Sequence, residues 1–328
     1  MCSHSIQQRL SGMITSVLLV LGGLAGLTVG AEGLVRGASS LARRVGWSPL
    51  IIGLTVVAYG TSAPELVVSV QAALEGTPDL ALGNVVGSNI GNVGLILGVT
   101  ALLCPIRGNA QAIRLDIPIM IGVSALLLGL LGDGVIGRLN GIVLVLGAIG
   151  YTVIRVWGSW EESQGAVRTS FDEAVPDQHG WGWSVLLGGG GLAFLVVGAR
   201  LLVRGAVTIA EGAGLPTAVI GLTVVAVGTS LPELATSVVA ALRGHADLAL
   251  GNVVGSNIVN VLGILGLTAC VQPLDATGLT WVDGGVMLGM AMLTLPFLWT
   301  ERSFSRWEGG ALLVAYGAYV AYLVYGLV

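Results

Sequence analysis

Apolar runs long enough to cross a bilayer recur along almost the whole chain, each ended by a short polar interruption. A spanning helix needs about 20 apolar residues. The first half offers runs near 12–31, 48–74, 80–105, 116–132 and 135–157. The second half offers runs near 183–203, 216–242, 248–273, 280–298 and 309–327. Between the halves, 158–181 carries Glu161, Glu162, Asp172, Glu173 and Asp177 with Pro176 and Gly180, and reads as a short polar linker. The pattern predicts an all-α polytopic membrane protein with ten transmembrane helices in two five-helix repeats. The first repeat spans 1–157 with a signature motif at 53–98. The second spans 182–328 with its motif at 221–266.

The repeat is visible letter by letter. GLTVVAYGTSAPE ends at Glu65 and GLTVVAVGTSLPE ends at Glu233; LALGNVVGSNI begins at Leu80 and again at Leu248. The offset is constant, since 233 − 65 = 168 and 248 − 80 = 168. Leu34-Val-Arg-Gly-Ala38 also matches Leu202-Val-Arg-Gly-Ala206, so the first apolar run has a counterpart deep in the chain and reads as a retained helix rather than a signal peptide.

Composition agrees. The chain is 54% hydrophobic and 10% charged, with a mean hydropathy of +0.90, against about 25% charged residues in soluble domains. The net charge of −4 is spread out and forms no nucleic-acid patch. Cys2, Cys104 and Cys270 are odd in number and lack metal-type spacing. An odd number of spans per half forces the second half to insert upside down. With the N-terminus outside, the cytoplasmic loops receive Arg36, Arg43, Arg44, Arg107, Arg114, Arg155, Arg168, Arg243, Arg302 and Arg306, and the outer side receives Arg9, Arg138, Arg200 and Arg204. That bias places both termini outside and the 158–181 linker in the cytoplasm, in what reads as a plasma (inner) membrane protein.

Each repeat places Pro-Glu inside an apolar run. Pro64 has no N–H, so the carbonyl of Gly60 loses its helical partner; Pro232 does the same to Gly228. An orphan carbonyl in hydrocarbon is costly unless something binds it. An ionised carboxylate at the bilayer centre costs about 3 kcal/mol even on lenient scales. A divalent cation between Glu65 and Glu233 would remove these penalties together. Four carboxylate oxygens and freed carbonyls near Thr61 and Thr229 approach the hard oxygen shell that calcium accepts. Neither motif contains His or Cys, which argues against zinc, copper or iron. On the next helix, Asn84, Ser88 and Asn92 share one face, as do Asn252, Ser256 and Asn260. Asn84, Asn89, Asn252 and Asn257 read as interhelical glue.

GLTVVAYGTSAPE with GNVVGSNIGN, and GLTVVAVGTSLPE with GNVVGSNIVN, resemble the two α-repeats of the cation/calcium antiporter superfamily, most closely its prokaryotic sodium/calcium exchangers. The resemblance implies inverted five-helix halves and sodium-driven alternating access. It implies that Glu65 and Glu233 hold calcium with backbone oxygens of Thr61 and Thr229. It places Ala58, Ser62, Ser88, Ala226, Ser230 and Ser256 at flanking sodium sites, and Asn92 and Asn260 at a central polar pair. Some relatives carry an acid at the position of Asn260, and the amide here argues against potassium co-transport. The expected function is sodium/calcium antiport, with proton/calcium antiport as the alternative and a cation channel behind it. No Ser/His or Cys/His pair or phosphate loop points to an enzyme. No cofactor is expected beyond the transported Ca2+ and Na+. The expected partners are the lipid bilayer and small inorganic cations, with no nucleic acid and no obligate protein partner.

Overall fold

The computed structural model describes residues 2–76, 78–108, 110–132, 134–162, 180–212, 226–275, 279–301 and 303–325. Most of these are helical. The elements are α1 (Cys2–Val45), α2 (Pro49–Thr61), α3 (Ala63–Leu74), α4 (Pro78–Leu103), α5 (Ala112–Leu131) and α6 (Arg138–Glu162). The second half holds α7 (Trp181–Gly212), α8 (Ala226–Thr229), α9 (Leu231–Leu242), α10 (Ala246–Val271), α11 (Trp281–Glu301) and α12 (Arg306–Tyr325). Among the described residues, seven helices are long and apolar enough to cross a membrane; the bent pair α2–α3 makes an eighth. The linker at 163–179 and the stretch 213–225 lie outside the described residues.

Four two-residue strands cap the helix ends: β1 (Ile106–Arg107), β2 (Val135–Ile136), β3 (Leu274–Asp275) and β4 (Ser303–Phe304). β1 pairs with β4 and β2 with β3, both antiparallel. In repeat terms, 106 + 168 = 274 and 135 + 168 = 303, so each strand pairs with the mate of the other. That exchange is the signature of a two-fold relation between the halves.

The packing of α1 on α7 gives the direction of the relation. Gly23 faces Gly198 and Leu202, Gly30 faces Gly191 and Leu195, and Gly37 faces Gly188 and Ser184. Partner numbers fall as α1 numbers rise, so the repeat mates α1 and α7 run antiparallel. Small residues allow this approach, because lipid supplies no hydrophobic drive and helices associate through close van der Waals contact. A Cβ on Gly191 would lie 2.4 Å from the Leu34 backbone nitrogen. Gly191→Val therefore forces the two helices apart, and a destabilisation of about 1–3 kcal/mol is expected, read as a lowered melting temperature of the purified protein.

α4 and α10 are the most enclosed spans, with 78% and 89% of their apolar windows buried. Lipid-facing apolar side chains ring the outside, and Trp157, Trp181, Trp183, Trp281 and Trp307 are exposed at helix ends, where interfacial belts sit. One assignment from the arginine count needs correction. Arg155 is not a loop cation; it is 2% exposed and held inside the helical layer against Asp116, which leaves nine arginines against four on the proposed sides.

Candidate functional site

Two helix breaks meet in the middle of the molecule. α2 ends at Thr61 and α3 begins at Ala63, bent by 44° across Ser62, whose φ of −82° and ψ of 5° leave the helical region. Ser230 does the same between α8 and α9, at φ −89° and ψ 7°. Pro64 and Pro232 sit in the first turn of the resumed helices, where their missing N–H costs nothing. Glu65 and Glu233 follow in the same first turns, at the positive end of each helix dipole. The breaks thus arise from the proline, and the acids stand where a helix N-terminus favours negative charge.

The two breaks bind to each other crosswise. The Ser62 hydroxyl donates to Glu233 Oε1 at 2.9 Å, and the Ser230 hydroxyl donates to Glu65 Oε1 at 3.2 Å. The Ser230 hydroxyl also lies 3.4 Å from the Ser88 hydroxyl of α4. Both carboxylates are 1% exposed. One oxygen of each is thereby occupied; the other, Oε2, is buried without a hydrogen-bond partner in both residues. The Asn92 and Asn260 side-chain oxygens and the Ser256 hydroxyl are buried and unpartnered too. Buried oxygens without donors are rare and cost about 1–3 kcal/mol each. Two anionic oxygens and three neutral ones, with no donor assigned to them, are suited to a hard cation.

Asn84 and Asn252 hold the carboxylates' backbone. Asn84 Nδ2 donates to the Glu65 carbonyl at 3.2 Å and to the Ser69 hydroxyl at 3.0 Å. Asn252 Nδ2 repeats this to the Glu233 carbonyl at 3.3 Å and the Ser237 hydroxyl at 3.0 Å. Asn260 Nδ2 reaches Asn89 Oδ1 at 3.0 Å, and Asn89 donates on to the Asn257 carbonyl at 3.2 Å. The interhelical-glue reading of Asn84, Asn89 and Asn252 thus has specific partners, and two of them position the acids; the Asn257 amide instead donates to the Val253 carbonyl of its own helix at 2.8 Å.

The remaining expected residues are placed as follows. Thr61 is fully buried, its hydroxyl 3.0 Å from the Val57 carbonyl and 3.2 Å from Asn252 Oδ1. Ala58 is fully buried, and a Cβ on Gly255 would meet its methyl at 2.9 Å. Thr229 is half-buried and lines a cavity beside the break. Ala226 is the first described residue of α8, and its side chain lies outside the described residues.

Three features escape a reading of hydropathy and spacing. π-helical turns precede the first break at Gly53–Val57 and begin at Asn92 and Asn260 themselves. Such turns are rare and concentrate at functional sites. The third feature is a buried cluster outside the site. Arg155 of α6 pairs with Asp116 of α5 at 2.9 Å and 3.1 Å, and the Tyr151 hydroxyl donates to Asp116 at 3.0 Å.

The family model "Sodium/calcium exchanger protein" matches residues 15–157 and again 183–325. The two matches lie 168 residues apart, since 183 − 15 = 168. The chain belongs to the sodium/calcium exchanger family. It is 41% identical over 317 residues to the putative antiporter CaxA of Alkalimonas amylolytica, covering 94% of this chain and 98% of that one. It is 35% identical to the sodium/calcium exchanger MaX1 of Methanosarcina acetivorans, covering 95% and 100%. A solved structure of the sodium-calcium exchanger NCX_Mj, soaked with Na+ and Sr2+, matches at a TM-score of 0.81 and 32% identity, covering 94% of this chain and 98% of that one. The family is one of membrane exchangers of small cations, not of enzymes, and the function at this level is cation/calcium exchange.

Proposed function

We propose that this member exchanges sodium for calcium by alternating access, with calcium held between Glu65 and Glu233. The observation that carries the reading is the pair of buried carboxylates tied crosswise through Ser62 and Ser230, each with Oε2 unpartnered. Two negative charges balance one calcium ion. Backbone oxygens of Thr61 and Thr229 complete its shell in this reading. Sodium ions take sites built around Ala58, Ser62, Ser88, Ala226, Ser230 and Ser256, with Asn92 and Asn260 as the central amide pair. The unpartnered Ser256 hydroxyl and the two unpartnered amide oxygens support that assignment.

The proposed membrane arrangement is ten spans in inverted halves. α9 joins a run that begins in 216–242, and α12 supplies the last span. The antiparallel contact of the mates α1 and α7 supports inversion. Both termini face outward and the 158–181 linker faces the cytoplasm.

Reconstituted vesicles with separately imposed sodium and pH gradients test the coupling ion. Calcium uptake should follow the sodium gradient and stall without it. Uptake that follows the pH gradient alone would assign proton/calcium exchange, and calcium flux with no counter-ion dependence would assign a channel.

A further inference from the structure

Two surfaces that the repeat relates are in different states. On one, α1 packs on α9: Val35 is 2% exposed, and Glu32 of α1 pairs with Arg243, at 3.0 Å from Nε to Oε2 and 2.7 Å from Nη2 to Oε1. On the mate surface, between α7 and α3, lies a cavity of about 570 Å³ lined by Pro64, Val67, Arg200, Val203 and Thr229. Val203 is the repeat mate of Val35 (35 + 168 = 203). Pro64 and Thr229 are the sequence neighbours of Glu65 and Ser230, so the cavity lies beside the two breaks, with both carboxylates buried behind its wall.

Two charges of the closed surface reappear on the open one with signs exchanged, while the third, Arg36, which also pairs with Glu32, keeps its sign as Arg204 of the cavity wall (36 + 168 = 204). Glu32 maps to Arg200 (32 + 168 = 200), and Glu75 maps to Arg243 (75 + 168 = 243). Glu75 and Arg243 leave their helices alike. Each is the residue after its helix end, at φ −81° and −86°, followed by Gly76 and Gly244 at φ +77° and +81°. An arginine there complements the C-terminal end of the helix dipole, whereas a glutamate opposes it. Glu75 therefore has no local helical reason to be acidic; its carboxylate accepts from the Gln71 amide at 2.8 Å. Arg200 is equally out of place, as a cation lining a cavity beside the two acidic breaks. Both disadvantages vanish if the two side chains meet.

We propose that Glu75 and Arg200 form the outer gate pair of the exchange cycle. α7 closes on α3, Arg200 binds Glu75, and the cavity collapses, while the Glu32–Arg243 pair opens on the opposite side of the site. One ion pair is exchanged for another of the same kind, so neither facing state is favoured by charge alone and bound ions decide the balance. The proposal rests on the alternating-access reading above.

The test uses full-length protein in liposomes, with sodium-gradient-driven calcium uptake and calorimetric Ca2+ binding measured together. Glu75→Arg places at this helix end the residue that its mate position already carries, so the fold tolerates it. Glu75→Arg and Arg200→Glu should each lower the exchange rate about fivefold or more with Ca2+ binding retained, as expected for a disturbed coupling between states. The double variant, with the pair reversed, should recover most of the rate. Single variants that exchange at the parental rate, or a double variant no faster than the singles, overturn the gate pair. Parent protein that neither binds Ca2+ nor exchanges it would instead overturn the exchange reading on which the gate depends.

Discussion

Glu65→Gln and Glu233→Gln should each abolish calcium exchange while leaving the protein folded. Glutamine keeps the shape and an acceptor oxygen, so the donations from Ser230 and Ser62 survive and the two breaks stay tied. The site loses one of two negative charges. Unit charges 4 Å apart at an effective dielectric near 20 interact by about 4 kcal/mol, and a divalent ion doubles that. Calcium affinity should fall by more than about a thousandfold, read by calorimetry on purified protein beside an unchanged melting temperature. Parental affinity in either variant would remove that carboxylate from the ion shell.

The second large effect is on folding rather than transport. Arg155→Met should leave Asp116 as a buried charge without its partner, and a loss of about 3–5 kcal/mol is expected. Tyr151→Phe removes only one neutral donor and should cost about 1 kcal/mol. Replacing Asp116 and Arg155 together by apolar residues should be much milder than Arg155→Met, because no lone charge then remains. Melting temperatures of the purified variants check the order. A double replacement as damaging as the single one would show that the pair itself, and not the lone charge, matters.

Much of the site is written in the repeats. Pro64 and Pro232 mark both breaks, and the acids one residue later mark the centre, because proline chemistry and the cost of a buried charge act locally. What the chain does not display is which repeat each group serves. Ser62 lies three residues from Glu65 yet donates to Glu233, a consequence of antiparallel docking. Arg155 reads as a loop cation because it stands near the end of an apolar run, and hydropathy carries no record of the helix face. Its partner Asp116 is 39 residues away on another helix. The π-helical turns at Asn92 and Asn260 follow from how α4 and α10 pack, and no residue type announces them. Among the described residues the count of spans stays below ten at two places: α9 is only 12 residues long, and α12 has the length at 20 residues but not the apolar character to be counted.

The offset of 168 pairs Glu32 with Arg200 on paper, but only the unequal packing of the two surfaces turns that reversal into a mechanism.

The most direct test of the calcium site is an anomalous-difference map from crystals soaked in Sr2+ with sodium withheld. The account predicts one dominant peak touching Oε2 of both Glu65 and Glu233, weakening as sodium is raised. A map whose strontium peak lies away from these two carboxylates, or touches neither, would contradict it.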